Sequence, residues 1–79
     1  MDENEILNQV QEIFRDNLDE ESILLNVETT ANDVEEWTSL THIQLVVASE
    51  KHFKIRFTSK EILSWKNVGE MIDCIKKKM

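Results

Sequence analysis

Two apolar stripes with the period of an α-helix bracket this chain. Between Glu3 and Leu18, the residues Ile6, Val10, Ile13 and Phe14 recur at i, i+4, i+7 and i+8, with Leu7 and Leu18 flanking them. Near the other end, Val68, Met71, Ile72 and Ile75 fall at i, i+3, i+4 and i+7. Such spacing gathers each set on one side of a helix, which must bury that side against another element. Proline is absent and glycine occurs once, so nothing in the composition marks a linker, and no internal repeat is visible. Seventy-nine residues enclose too little interior for two separate cores. The expectation is a single all-α domain over residues 1–79.

Boundaries between the stripes follow from local chemistry. Asp19-Glu20-Glu21-Ser22 ends the first helical pattern. A short apolar run, Ile23, Leu24, Leu25 and Val27, then precedes a polar stretch from Glu28 to Glu36, which reads as a long ordered loop pinned by those aliphatics. Residues 39–53 form a second helix, with Leu40, Ile43, Val46, Val47 and Phe53 on one broad face and Leu45 and Ala48 on the other side. Thr58-Ser59-Lys60-Glu61 has the form of a capping box, in which two side chains satisfy amides that the first turn leaves free, so a short third helix is expected near 59–64. Asn67 is an N-cap for the last helix, and Lys76, Lys77 and Lys78 complement its negative end. The predicted architecture is a four-helix bundle with a long first loop and a short third helix.

Charge narrows the functional classes. Residues 1–36 carry twelve acids and one base, a net of −11, whereas residues 37–79 carry four acids and eight bases, a net of +4, which together make the chain's −7. An acidic front half opposes a phosphate backbone, and the basic residues behind form no dense stripe with interleaved aromatics, so nucleic acid is not an expected partner. The acidic half serves either as a solvated surface or as an electrostatic guide toward partners with basic patches. No apolar run approaches the roughly 18 residues that span a bilayer, and Met1-Asp2-Glu3 lacks the basic start of a secretory signal, so a cytoplasmic location is expected. The one cysteine, Cys74, cannot form an internal disulfide and reads as a small hydrophobe at the core edge.

Catalytic constellations fail in turn. His42 and His52 stand ten residues apart, about 15 Å along a helix and too far to share a metal ion, and both read as surface histidines. The carboxylates of the front half sit on a helix rim and a loop, where solvation is the ordinary state, and there is no glycine-rich phosphate loop. Neither a metal site nor a catalytic residue is expected.

What remains is the segment Asp33-Val34-Glu35-Glu36-Trp37-Thr38-Ser39-Leu40-Thr41-His42-Ile43-Gln44-Leu45. It resembles the acyl carrier protein family, in which an Asp-Ser-Leu motif opens the second helix and 4'-phosphopantetheine, taken from coenzyme A, is esterified to the serine. Here the motif reads Thr38-Ser39-Leu40, and the matching context runs on through Glu50, Phe53 and Ile55 to Val68-Gly69-Glu70 and Ile72, nearly the full chain. The resemblance implies that Ser39 carries the arm and holds acyl or aminoacyl groups as thioesters. It further implies that a phosphopantetheinyl transferase supplies base and metal, that acyl-loading and acyl-processing enzymes are the other partners, and that the protein is a monomeric substrate of these enzymes. A serine in the first turn of a helix suits this chemistry, because free amides and the positive dipole end there favour a phosphodiester.

The family's docking face on the second helix corresponds to Leu40, Gln44, Val47, Glu50 and Lys51, beside Thr38 and Ser39. Core packing is the competing reading for Leu40 and Val47, as it is for Ile62, which on the family pattern lines a cleft that shelters bound chains. Gln44 and Lys51 make this face less acidic than in a fatty-acid synthesis carrier, which points within the range of fatty acid, polyketide and related biosynthesis to a specialised pathway, such as secondary metabolite or surface polysaccharide synthesis. Thr38 departs from the family's aspartate. It can still cap the helix, at a cost of about a few tenths of a kcal/mol or less, but it removes a carboxylate that meets the transferase, so weaker or more selective modification is expected. Two alternatives stay open: a carrier-like interaction module that is never modified, and a small helical regulator, which the charge disfavours.

Overall fold

The computed structural model describes residues 2–79; Met1, the first residue of the acidic start, lies outside them. Four helices follow in order: α1 (Glu3–Leu18), α2 (Ser39–Phe53), α3 (Ser59–Ser64) and α4 (Val68–Lys78). Asp2 caps α1 by accepting the Glu5 amide at 2.9 Å, and Asp19 closes it in a left-handed conformation at φ 52°. Thr58 and Glu61 form the expected capping box of α3, and Asn67 accepts the Glu70 amide to start α4. These are the boundaries that the sequence signals imply.

The core forms where α1 packs against both α2 and α4. Ile6, Val10, Ile13 and Phe14 of α1 meet Val68, Met71, Ile72 and Ile75 of α4 in one cluster, so both apolar stripes are buried as the spacing requires. Burial of this aliphatic and aromatic surface is the main stabilising term for a chain without disulfides. The helix α3 contributes no fully buried residue and lies outside this cluster.

Two expectations need correction. On α2 the buried residues are Leu45, Val46, Ser49 and Phe53, with Ala48 packed against the cluster, whereas Leu40, Ile43 and Val47 are 74%, 55% and 42% exposed. The helix carries two apolar stripes and packs chiefly on α1, so the stripe through Leu45, Ser49 and Phe53 turns inward and the other faces out. Ser49 fits the interior because its hydroxyl donates to the Leu45 carbonyl at 2.8 Å. In the first loop, Ile23 and Leu25 are buried but Leu24 and Val27 are exposed, so only two of the four aliphatics pin it to the bundle.

The rest of the loop is held by polar contacts as much as by aliphatics. Arg15 Nε donates to the Ile23 carbonyl at 2.8 Å, and the Leu25 amide donates to Gln11 Oε1 at 2.9 Å, which fastens the loop to α1. The amides of Val68 and Gly69 donate to the carbonyls of Thr29 and Val27, each at 2.9 Å, and fasten it to α4. Val34 and Trp37 then enter the core and bring the chain to the start of α2.

Candidate functional site

Two threonines determine how α2 begins. Thr38 Oγ1 accepts the Thr41 amide at 3.3 Å, and the Thr38 amide donates to Thr41 Oγ1 at 2.7 Å, a reciprocal box with threonine in the place usual for glutamate. Thr41 Oγ1 donates in turn to the Glu36 carbonyl at 2.8 Å, which sets the angle at which the loop enters the helix. The His42 amide pairs with the Thr38 carbonyl at 2.8 Å. The amides of Ser39 and Leu40 are then the ones left without a partner among the described residues, and both residues are exposed. No acidic side chain lies in this first turn, so the positive end of the helix is uncompensated by the chain itself.

Ser39 lies on the rim of a cleft of about 700 Å³ between the end of the first loop, the start of α2 and the α3 region. Its walls are apolar and aromatic, from Trp37, His42 and Ile43 on one side to Ile62, Leu63 and Trp65 on the other, with Lys66 at the margin. None of the lining residues is acidic, which stands out in a chain of net charge −7. Ile62, half-buried, lines this cleft rather than the core.

A series of rings builds the wall. Trp37 is 9% exposed and meets Phe14 edge to face at 5.0 Å, which ties the residue before the motif into the core. Its indole N–H donates to His42 Nδ1 at 3.0 Å, and the two rings lie stacked, 27° apart. His42 touches the edge of Trp65, and Trp65 meets Phe57 at 4.9 Å. His42, expected to be an exposed or partly buried surface histidine, is half-buried, and it sits between two tryptophans. The signal that could have found it is its place at i+3 from Ser39, on the same side of α2.

The remaining residues of the expected docking face are set out along α2. Thr38, Leu40, Gln44, Val47 and Lys51 are exposed. Glu50 is half-buried, and its Oε2 accepts the Phe57 amide at 2.8 Å, so it secures the connection to α3. The two histidines are not brought together: His52 meets Gln9 Oε1 at 2.7 Å instead. Among the described residues no group of three or more His, Cys, Asp or Glu is placed to hold a metal ion, and no helix is long and apolar enough to cross a membrane.

Glu61 and Cys74 join α3 to α4. Glu61 accepts the Thr58 amide at 2.8 Å and pairs with Lys78 at 3.0 Å, and these contacts, the amide first, hold its carboxyl down at about 2. Burial and the neighbouring Glu61 carboxylate push the Cys74 thiol up, so it stays protonated near neutral pH and is a poor nucleophile.

Comparison with known proteins agrees with this geometry. The sequence pattern of the family described as a phosphopantetheine attachment site matches residues 8–75. The solution structure of a holo acyl carrier protein from Geobacter metallireducens superposes with a TM-score of 0.87 at 44% identity, covering 92% of this chain and 84% of that one. Among curated proteins none matches. A family pattern that spans nearly the whole chain, on a four-helix fold shared at this identity, means that the chain belongs to the phosphopantetheine-attachment family, as an acyl carrier protein that bears its cofactor covalently and is not itself an enzyme.

Proposed function

We propose that Ser39 is the residue esterified by 4'-phosphopantetheine, and that the outer face of α2 presents the loaded arm to partner enzymes. The observation that carries the assignment is the position of Ser39: exposed, first in α2, beside two free amides, and on the rim of a cleft whose walls are aromatic and aliphatic and hold no carboxylate. A phosphodiester is an anion with several acceptor oxygens, so the residues present fit it. The Ser39 and Leu40 amides and the helix dipole stabilise its charge, and nothing in the cleft repels it.

In the loading step the Ser39 Oγ attacks the phosphorus of coenzyme A that bears the pantetheine, the bond to adenosine 3',5'-bisphosphate breaks, and the hydroxyl proton passes to the transferase. Ser39 needs no base of its own, and among the described residues none hydrogen-bonds its hydroxyl. The bound group supplies a thiol that holds acyl or aminoacyl cargo as a thioester. The chain's own contribution is to hold the attachment point rigid and to keep the cargo at high effective concentration before each partner. The phosphopantetheinyl transferase and the acyl-loading and acyl-processing enzymes meet Thr38, Leu40, Gln44, Val47 and Lys51, with the carrier acting as a cytoplasmic monomer. The exposure of Leu40 and Val47, at 74% and 42%, supports docking over core packing for both.

Intact mass after incubation with coenzyme A and a broad-specificity transferase tests the assignment. The wild type is expected to gain one phosphopantetheine and Ser39→Ala none. A gain that survives Ser39→Ala moves the attachment to another residue, and no gain in the wild type returns the chain to the reading of an unmodified interaction module.

A further inference from the structure

The cleft beside Ser39 contains one polar ring whose proton is placed by the fold. The indole nitrogen of Trp37 can only donate, and it donates to His42 Nδ1 at 3.0 Å. Nδ1 must therefore offer its lone pair, and the neutral ring carries its proton on Nε2. The ring is held on both sides, stacked on Trp37 and edge-on to Trp65, each at 5.9 Å between centroids. Trp37 is itself wedged against Phe14, so the support reaches the core. Nε2 bonds to no group among the described residues, although His42 lines the cleft with Ser39 one helical turn before it.

A fixed donor among the apolar surfaces of Ile43, Ile62, Leu63 and Trp65 has a use if something in the cleft accepts from it. Taking Ser39 as the attachment point, the occupant is determined by covalent tethering, since whatever hangs from Ser39 samples this cleft at high effective concentration. The charged part of the tethered group stays at the serine, by the free amides. What reaches apolar walls is its uncharged part, whose strongest acceptors are the carbonyl oxygens of the pantetheine amides and of the thioester, the pantoyl hydroxyl lying nearest the phosphodiester. Trp37 stands between the cleft and Phe14, so the cleft ends at its ring and a tethered chain lies along the surface rather than among the core helices.

We infer that His42 is a positioning residue for the group tethered to Ser39: its Nε2–H donates to a carbonyl oxygen of the arm or of a short acyl thioester and holds it against Trp65 in the surface cleft. The inference rests on the Ser39 assignment. Trp37 acts through His42 by keeping the donor on Nε2. Partial exclusion of water by the aromatic walls strengthens such a bond relative to one in open solvent.

The experiment loads nitrogen-15-labelled protein enzymatically from coenzyme A, giving the holo form, and from acetyl-coenzyme A, giving the acetyl form. The imidazole nitrogens of His42 and the indole N–H signals of Trp37 and Trp65 are recorded in the apo, holo and acetyl states. A His42 Nε2 shift already in the holo form identifies an amide of the arm as acceptor, and a shift confined to the acetyl form identifies the thioester. In parallel, nuclear Overhauser contacts between the Trp65 ring protons and the methylene protons of the arm are measured in both loaded forms. His42→Phe, which keeps the ring packing without the donor, is expected to weaken these contacts about two- to tenfold, the factor that one hydrogen bond of ordinary net strength confers. His42→Gln, which has both an acceptor for Trp37 and a donor, is expected to recover part of them; a merely structural role for the ring would leave Gln no better than Phe. Melting curves establish that both variants fold. Unchanged His42 signals in both loaded forms, or equal contacts in wild type and His42→Phe, overturns the inference while Ser39-dependent mass gain still stands. Absence of that mass gain overturns the Ser39 assignment and this inference with it.

Discussion

Thr38 accepts the Thr41 amide through its hydroxyl and donates its own amide to Thr41 Oγ1, so the backbone at the start of α2 is as well capped as an aspartate would leave it. What the substitution removes is charge, and the nearby acids replace it incompletely. Asp33 Oδ2 is engaged by the Thr30 amide at 3.0 Å and the Thr30 hydroxyl at 3.2 Å, which leaves the exposed Glu35 and the half-buried Glu36. Thr38→Asp is therefore expected to raise the rate of modification by a transferase with a basic docking surface, by about two- to fivefold at low ionic strength, the range of one exposed charge pair. The gain should shrink as salt screens the pair. Rates that match the parent at low and high salt would show that the carboxylate is immaterial here. At this scale the position of Ser39 was legible, because the motif's register depends on neighbours in sequence. The Trp37–His42 bond was not, since it depends on the turn closed by the Trp37 amide on the Val34 carbonyl at 3.0 Å, which no periodicity describes.

Among the elements, the two helices with one apolar stripe each were readable from spacing and caps, while α2, with two stripes, was not. Hydropathy records that Leu40, Ile43 and Val47 are apolar but not that α1 occupies only the opposite side. On the reading proposed above, the outward stripe is the face that meets partner enzymes, which would account for its departure from the pattern of a helix that only packs. The first loop was legible in length but not in attachment. Its junction with α4 depends on Gly69, whose amide donates to the Val27 carbonyl at 2.9 Å and whose missing side chain leaves room for that approach. A Cβ at this position would lie 2.8 Å from the same carbonyl oxygen and 3.2 Å from the Val27 Cβ. Because the obstacle is backbone, Gly69→Ala is expected to destabilise the fold by about 1–3 kcal/mol despite the better helix propensity of alanine. Urea unfolding with an unchanged slope and a lowered midpoint would show this. An unchanged midpoint would mean that the loop shifts freely away from α4, and that the two hydrogen bonds do not hold it.

For the whole molecule, the separation of an acidic front from a basic rear becomes a matter of contacts across the bundle. Among the described residues the ion pairs stay within each half, Arg15 with Glu12 in the front and Glu61 with Lys78 in the rear, the latter tying α3 to the end of α4. Since α3 buries no side chain completely, this tie adds to the Cys74–Glu61 contact and to the packing of Phe57 and Trp65 on the core in keeping it on the bundle, and with it the Ile62, Leu63 and Trp65 wall of the cleft. Folding lowers the Glu61 carboxyl from 4.5 to about 2. Between those values the unfolded chain binds a proton that the folded one does not, so the contribution of Glu61 is complete above 4.5 and is lost as the pH falls toward 2. Glu61→Gln keeps a side chain that can accept the Thr58 amide, as glutamine does in capping boxes, but removes the charge. The variant is expected to be less stable than the parent at neutral pH and to lose stability less steeply through the acid window, so that the two curves converge at its lower end. Thermal midpoints followed from neutral to acid pH test this. Parallel curves across the window would mean that neither the Thr58 amide nor Lys78 holds the carboxylate, leaving the wall of the cleft attached by its other contacts.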